Sequence, residues 1–224
     1  YYTFEFNTNG KNTFRHSLTG SLRGYTMLGT ASSAVYPKWG IGAEIGASGS
    51  LESSRYLSPM GYFYLYGYVP GILSEQGLKL TLMTQQKLRS DSVFGQPIVS
   101  ILPRGLSSNA SIASWLSIRN ANITKITADY AVPVFIGDIA LGGNFFSIKR
   151  LVVTPHFDYS FIGRKGLWSA GADLTLDMHS ILTLEWPCSF GVTMSYNGGP
   201  SWKSISTDSG ITLDRFFIGP TFNV

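Results

Sequence analysis

His156, Asp158, Asp173, Asp177 and His179 are the residues of this chain whose types and spacing could do chemistry. Imidazole and carboxylate together supply general acid–base catalysis or metal ligation. Spacings of two and four along an extended chain keep side chains on one face. All five therefore fall on the polar face of two neighbouring strands, where they could cluster. One reading is a hydrolase or metal site in an enclosed interior. The other is a salt-bridged, hydrogen-bonded interior, because buried charges need partners. The second is favoured, since catalysis needs a geometry that spacing alone does not specify. Ser189 and Ser195 share the face, but no G-x-S-x-G elbow surrounds either. No catalytic residue, metal site or cofactor site is assigned.

A second set of charges, Glu5, Arg15, Arg23, Lys38, Glu44, Lys79, Lys125 and Asp129, is inward by the same alternation. Mixed charges of this kind tune ion passage or knit an interior shut, and the balance leans to shut. GGNFF and YNGGP read as turns rather than phosphate loops, since no helix follows them. Cys188 is alone beside Pro187, which excludes a disulfide framework and reads as an inert thiol.

The elements that would position these groups are strands. Trp168, Ala170, Ala172, Leu174, Leu176 and Met178 alternate with Ser169, Gly171, Asp173, Thr175, Asp177 and His179. The same period of two runs through 2–7, 14–23, 38–48, 61–69, 78–83, 125–134, 151–161, 189–197 and 216–224. That predicts about ten strands, many of 9–12 residues. No helical periodicity is evident. Residues 90–121 break the pattern and read as a long loop with room for a short strand or helix inside, able to fold inward as a plug; 198–213 read as a second long loop. GRKG at 163–166 and NGK at 9–11 read as tight turns.

Tyr62, Tyr64, Tyr66 and Tyr68 alternate with Phe63, Leu65, Gly67 and Val69, so that strand has no charged face at all. A soluble half-buried sheet would have one wet face. Charged residues are only 13% of the chain, while aromatics reach 14%. The polar face is rich in Gly, Ser and Thr instead of Lys and Glu. Small polar residues suit a confined lumen, aromatic rings suit bilayer interfaces, and strands of about 9–11 residues suit a tilted crossing. The expected fold is an all-β antiparallel transmembrane barrel, a single domain over 1–224, complete or part of a larger barrel. The tyrosines face inward, or the outermost sits in an aromatic girdle. Counting back from a periplasmic C-terminus puts both long loops outside. The 17 Lys and Arg form no run, which argues against a nucleic-acid partner. The chain opens directly on YYTFEFN in strand pattern, so either processing removed a leader or this is part of a longer polypeptide.

TADYAVPVF at 127–135, NFFSIKRLVVTPHFDYS at 144–160, GADLTLDMHSILTLEWPCSFGVTMSY at 171–196 and the terminal FFIGPTFNV carry a resemblance, joined by YPKWG at 36–40 and LPRG at 102–105. Together they resemble the C-terminal barrel of large Bacteroidetes outer-membrane proteins, in which a TolB-like (WD40-like) propeller precedes the barrel. More distantly, the segment around ADYAVPVF resembles the surface-antigen barrel of the BamA-like assembly family. The resemblance implies a Gram-negative outer-membrane location and further strands upstream. It carries no catalytic residues. The expected function is a non-enzymatic barrel that anchors, or is a subunit of, a larger envelope complex. Its partners are the lipid bilayer and other envelope proteins or an upstream propeller domain. A pore for small solutes and a barrel enzyme at the membrane are the alternatives.

Overall fold

The computed structural model describes residues 2–5, 13–29, 34–50, 57–88, 94–95, 102–106, 122–141, 146–181 and 188–223. Ten strands hydrogen-bond in one antiparallel sheet: β1 (Tyr2–Glu5), β2 (Thr13–Met27), β3 (Gly40–Ser50), β5 (Met60–Pro70), β6 (Gly77–Lys87), β8 (Ile123–Leu141), β9 (Phe146–Ile162), β10 (Lys165–Ile181), β11 (Cys188–Gly198) and β12 (Phe216–Asn223). Each pairs with its neighbour in sequence, which is what short antiparallel connections favour. Two-residue strands β4 (Leu57–Ser58) and β7 (Phe94–Gly95) form a separate parallel bridge. The sheet is open: among the described residues β1 and β12 are its edges and do not pair. The expected all-β antiparallel architecture is present, and the expected closure is not. No described helix is long and apolar enough to cross a membrane.

From β8 to β11 the two faces are inverted relative to an ordinary β-sheet, whereas β2 exposes both. The polar face is buried, with Thr127, Thr154, His156, Asp158, Ser160, Ser169, Thr193, Ser195 and Asn197 all shielded from solvent. The apolar face is exposed, from Leu22 at 75% and Ile45 at 60% to Ile218 at 64% and Phe222 at 57%. The period of two assigns residues to faces as the sequence predicts. Alternation alone does not say which face is covered; the small, charge-poor polar face is what marks it as the enclosed one.

Two connections fold over the polar face. One is the stretch between β2 and β3, where Tyr36 lies against Tyr68 with ring centroids 5.5 Å apart. The other is a 3₁₀ turn at Arg104–Leu106, inside the segment predicted as plug-like. Leu102 and Leu106 join Ile123, Ile162, Leu167, Trp202, Ile205 and Leu213 in a small apolar cluster. It caps the polar face at the end where the β9–β10 hairpin turns. The tight turn predicted at 163–166 is present as a two-residue loop, with Lys165 and Gly166 already in β10: Ile162 pairs with Lys165, and Gly163 adopts φ 61°, a conformation that favours glycine. The NGK turn at 9–11 lies outside the described residues.

The absence of helix is corrected. Helix α1 (Trp202–Ser209) lies in the predicted 198–213 loop and ends at Gly210 in the left-handed conformation. Its two turns, rich in Ser and Thr, give no periodic signal and little intrinsic propensity. Burial of Trp202 and Ile205, three residues apart on one side, makes it helical.

Glycine decides one strand contact. A methyl at Gly171 would drive into the Met194 carbonyl and the Ser195 Cα. Gly171→Ala is expected to cost about 1–3 kcal/mol, as overpacking does. The measurement is the urea midpoint in detergent; an unchanged midpoint would mean that β10 and β11 are less closely apposed.

Candidate functional site

Pairing register lays out the site before any side chain is considered. Lys79, Asp129, His156, Gly171 and Ser195 share one rung across β6, β8, β9, β10 and β11. The adjacent rung carries Thr81, Thr127, Asp158, Ser169 and Asn197. On the other side, Thr154, Asp173 and Thr193 line up. Neighbouring strands lie about 4.8 Å apart, so carboxylates on adjoining rungs come within reach of one long cation.

That cation is Arg104, delivered by the 3₁₀ turn. Its Nη1 donates to Asp173 Oδ2 at 2.6 Å, and its Nη2 donates to Asp129 Oδ1 at 2.6 Å. Its backbone N–H donates to Asp158 Oδ2 at 2.7 Å. Lys125 Nζ donates to the Leu102 carbonyl at 2.8 Å and stands 3.7 Å from Asp158 Oδ2. Asp158 is 0% exposed. A carboxylate so placed is tenable only with such partners. Burial by itself would lower the Arg104 pKa. The charges of Asp129, Asp158 and Asp173 outweigh it and hold the guanidinium ionised above its ordinary range. Burial, then the charge of Asp129, pushes the Tyr36 phenol up, so this ring stays neutral beside the network.

Asn197 ties the turn to the next connection. Its Nδ2 donates to the Gly105 carbonyl at 3.2 Å and to the Asp214 carbonyl at 3.1 Å. Asn197→Ala removes both donors from a buried position and is expected to cost about 2 kcal/mol. Faster tryptic cleavage after Arg104 is the expected readout; an unchanged cleavage rate would exclude this anchoring role.

His156, Asp158 and Asp173 do meet, as their spacing predicts. His156 Nε2 lies 3.2 Å from Ser195 Oγ, and its Nδ1 lies 3.4 Å from Asp173 Oδ1. Gly171 stands between His156 and Ser195 on the rung and offers no side chain to intervene. Ser, His and Asp in this order have the composition of a catalytic triad, but His156 Nδ1 and Asp173 Oδ1 do not hydrogen-bond. What the arrangement also lacks is access. Ser195 is 2% and His156 4% exposed, and a Cβ on Gly105 would strike the Ser195 Cβ, so the turn lies directly on the serine. Asp173 also gives its second oxygen to Arg104, which weakens its support of an imidazolium. The geometry favours a charge network that holds the interior together.

Asp177 does not join the cluster. It sits on the same face two rungs beyond Asp173, where it accepts from Arg150 Nε at 2.5 Å and from Ser189 Oγ at 2.8 Å. Arg150 Nη1 also donates to the Ala34 carbonyl at 2.8 Å, which fastens the β2–β3 connection to β9. Glu44 accepts from Tyr62 Oη at 2.6 Å and from Arg23 Nε at 2.7 Å. The tyrosine strand thus turns its hydroxyl face to the polar side, with Tyr62 and Tyr66 buried. Lys79 Nζ stands 5.9 Å from the Tyr68 ring centroid.

Arg23 remains more than half exposed despite its inward parity. Lys38 is corrected: it precedes β3 and is exposed, because Pro37 and the bends around it delay the strand to Gly40. The side chains of Glu5, Arg15 and His179 lie outside the described residues. Among the described residues no group of three or more His, Cys, Asp or Glu is arranged to hold a metal ion.

Sequence reasoning missed Arg104, Arg150, Asn197 and Tyr36. A signal for the first existed. Asp129, Asp158 and Asp173 share their face with few cations, so a plug over them has to bring one. Between residues 90 and 121 the only candidates are Arg104 and Arg119.

No protein-family model, no curated protein and no solved structure matches this chain, so the resemblance of its second half rests on the quoted motifs alone.

Proposed function

We propose that this chain is a transmembrane β-barrel domain of a Gram-negative outer membrane, filled by its own inward-folded connections. It serves as the membrane anchor or a subunit of a larger envelope assembly. The observation that carries this reading is the inversion of the two faces, cleanest on β8, β9 and β11: polar groups buried, apolar groups largely exposed. In water, so much exposed apolar surface is a liability. In a bilayer it is the face that lipid requires.

Other features agree. Strands β8, β9 and β10 run 19, 17 and 17 residues, longer than a tilted crossing of about 9–11 needs. Trp168, Tyr196 and Phe216 form a contiguous ring cluster at one end of the apolar face, with centroids 5.9 and 5.7 Å apart. Arg215 Nη1 donates to Tyr196 Oη at 3.1 Å, a charged group at the edge of that aromatic patch. Such a grouping suits a bilayer interface. The long connections 88–122 and 199–215 emerge at one end of the sheet, as external loops of such barrels do. Insertion also requires the edges of β1 and β12 to be paired, with each other or with further strands, since hydrocarbon offers no substitute for a ladder bond.

The test is expression of the whole chain in a Gram-negative host. Expected results are recovery in the outer-membrane fraction, resistance to alkaline wash and a heat-dependent shift on electrophoresis. A monodisperse chain that stays in solution without detergent would overturn the reading.

A further inference from the structure

Aromatic rings form a belt across one end of the apolar face. Between ring centroids, Phe161 lies 4.5 Å from Tyr159, Phe157 6.5 Å from Trp168, Trp168 5.9 Å from Tyr196, and Tyr196 5.7 Å from Phe216. The rings come from four consecutive strands, β9 to β12, and register sets them side by side: Tyr159 opposes Trp168, and Tyr196 opposes Phe216. Gly198 also opposes Trp168, and a Cβ there would strike the indole, so the ring lies across the space that glycine leaves. Amphipathic rings collect where hydrocarbon meets head groups. Away from that end the same face stays apolar and exposed, through Met194 and Val192 on β11 and Ile218 and Phe222 on β12.

The charges at the belt's outer edge are unevenly matched. The β9–β10 turn, helix α1 and the segments flanking that helix carry Arg164, Lys165, Lys203, Asp208, Asp214 and Arg215. Lys165 and Asp208 pair with each other. Arg164, Lys203 and Arg215 are left against Asp214, and among the described residues none of the three forms an ion pair. Arg215 is the one that the belt positions. It is exposed, its Nη1 donates to Tyr196 Oη at 3.1 Å, and its Cζ stands 5.5 Å from the Trp202 ring centroid. Two contacts therefore hold a long side chain in place. Among the described residues its other N–H groups make no hydrogen bond. A guanidinium fixed in this way presents paired donors that match a phosphate.

We propose that Arg215, seated on Tyr196 and Trp202, binds the phosphate of an anionic membrane lipid whose acyl chains lie along β11 and β12. The proposal rests on the membrane-barrel reading and gives it a lipid partner. A free phosphate would meet the cation alone. A lipid also meets the apolar strip that begins at Phe216, the residue after Arg215, and the belt fixes the height at which its head group arrives.

The test uses the full chain inserted in phosphatidylcholine bilayers. The probes are phosphatidic acid and phosphatidylcholine with brominated acyl chains, read by quenching of tryptophan fluorescence, to which Trp168 in the belt contributes. The parent is expected to prefer phosphatidic acid about fivefold, and Arg215→Gln to reduce the preference to within about twofold. Lys149→Gln removes the same charge from the opposite end of β9 and should leave the preference intact. An equal loss in that variant would overturn the site, because net charge alone would then set the preference. Since Arg215→Gln could fold poorly, the parent by itself also decides: equal quenching by the two lipids in chains that insert, shown by the heat-dependent shift, would overturn the lipid site and leave the barrel standing. Loss of the parent's preference in excess inorganic phosphate at constant ionic strength would overturn it in favour of a free anion. Failure of the parent chain to insert would overturn both readings.

Discussion

Leu174→Arg is expected to weaken insertion of the chain into bilayers markedly. Leu174 is near the middle of β10, on the exposed apolar face, 43% exposed and flanked across the sheet by Val153 and Val192. Arginine facing lipid near the midplane of a barrel costs about 2–4 kcal/mol. The same change on a water-facing surface falls within about 0.5 kcal/mol of neutral. One substitution therefore separates the two solvents. The measurement is the folded fraction recovered in lipid vesicles across a urea series, for the parent and for Leu174→Arg. A lower urea midpoint and a smaller inserted fraction are expected. Unchanged values would mean that Leu174 faces water, and the membrane reading would fall with it.

Asp158→Ala is expected to cost about 3–5 kcal/mol, the usual penalty for stranding a buried partner charge. Asp158 is fully buried and faces three groups at once: the Arg104 N–H at 2.7 Å, Arg104 Nη2 at 3.5 Å and Lys125 Nζ at 3.7 Å. Most of the loss comes from the cations left behind. Combining Asp158→Ala with Lys125→Met removes one of them and should recover at least about 1 kcal/mol, as interacting neighbours do in a double-mutant cycle. Denaturant unfolding of the four proteins in detergent gives the coupling. Additive losses would show that Lys125 and Asp158 do not feel one another, despite sharing the same pocket.

The interior combines two kinds of polar contact that differ in worth. The Lys165–Asp208 pair at 2.8 Å joins the β9–β10 hairpin to helix α1, but Asp208 is half exposed. Such a pair contributes at most about 1 kcal/mol. The carboxylates of the Arg104 set are largely shielded, Asp158 fully, and the set links one connection to three strands. It has far greater leverage over whether the interior stays filled.

The strands were legible because alternation is local. Trp168 to Met178 declares its two faces with no knowledge of what lies beside it, and the same holds for the tyrosine strand and for β9, β11 and β12. The grouping of His156, Asp158 and Asp173 was legible too, because antiparallel neighbours bring same-face residues together once their register is near correct. Asp177 was grouped with them on parity alone. Parity does not measure distance along the strand, and two rungs put it with Arg150 instead.

By itself, then, the sequence determined the antiparallel sheet, the membership of each face and the candidate carboxylates, all consequences of a period of two. The tertiary structure decided the rest. Arg104 meets Asp129, Asp158 and Asp173 across 25, 54 and 69 residues of chain, and its own segment has no periodicity to mark it. Helix α1 exists because Trp202 and Ile205 find an apolar cluster made by residues from four other segments. How the polar face is covered was decided by two connections folding over it. These are long-range events, and no local pattern encodes them.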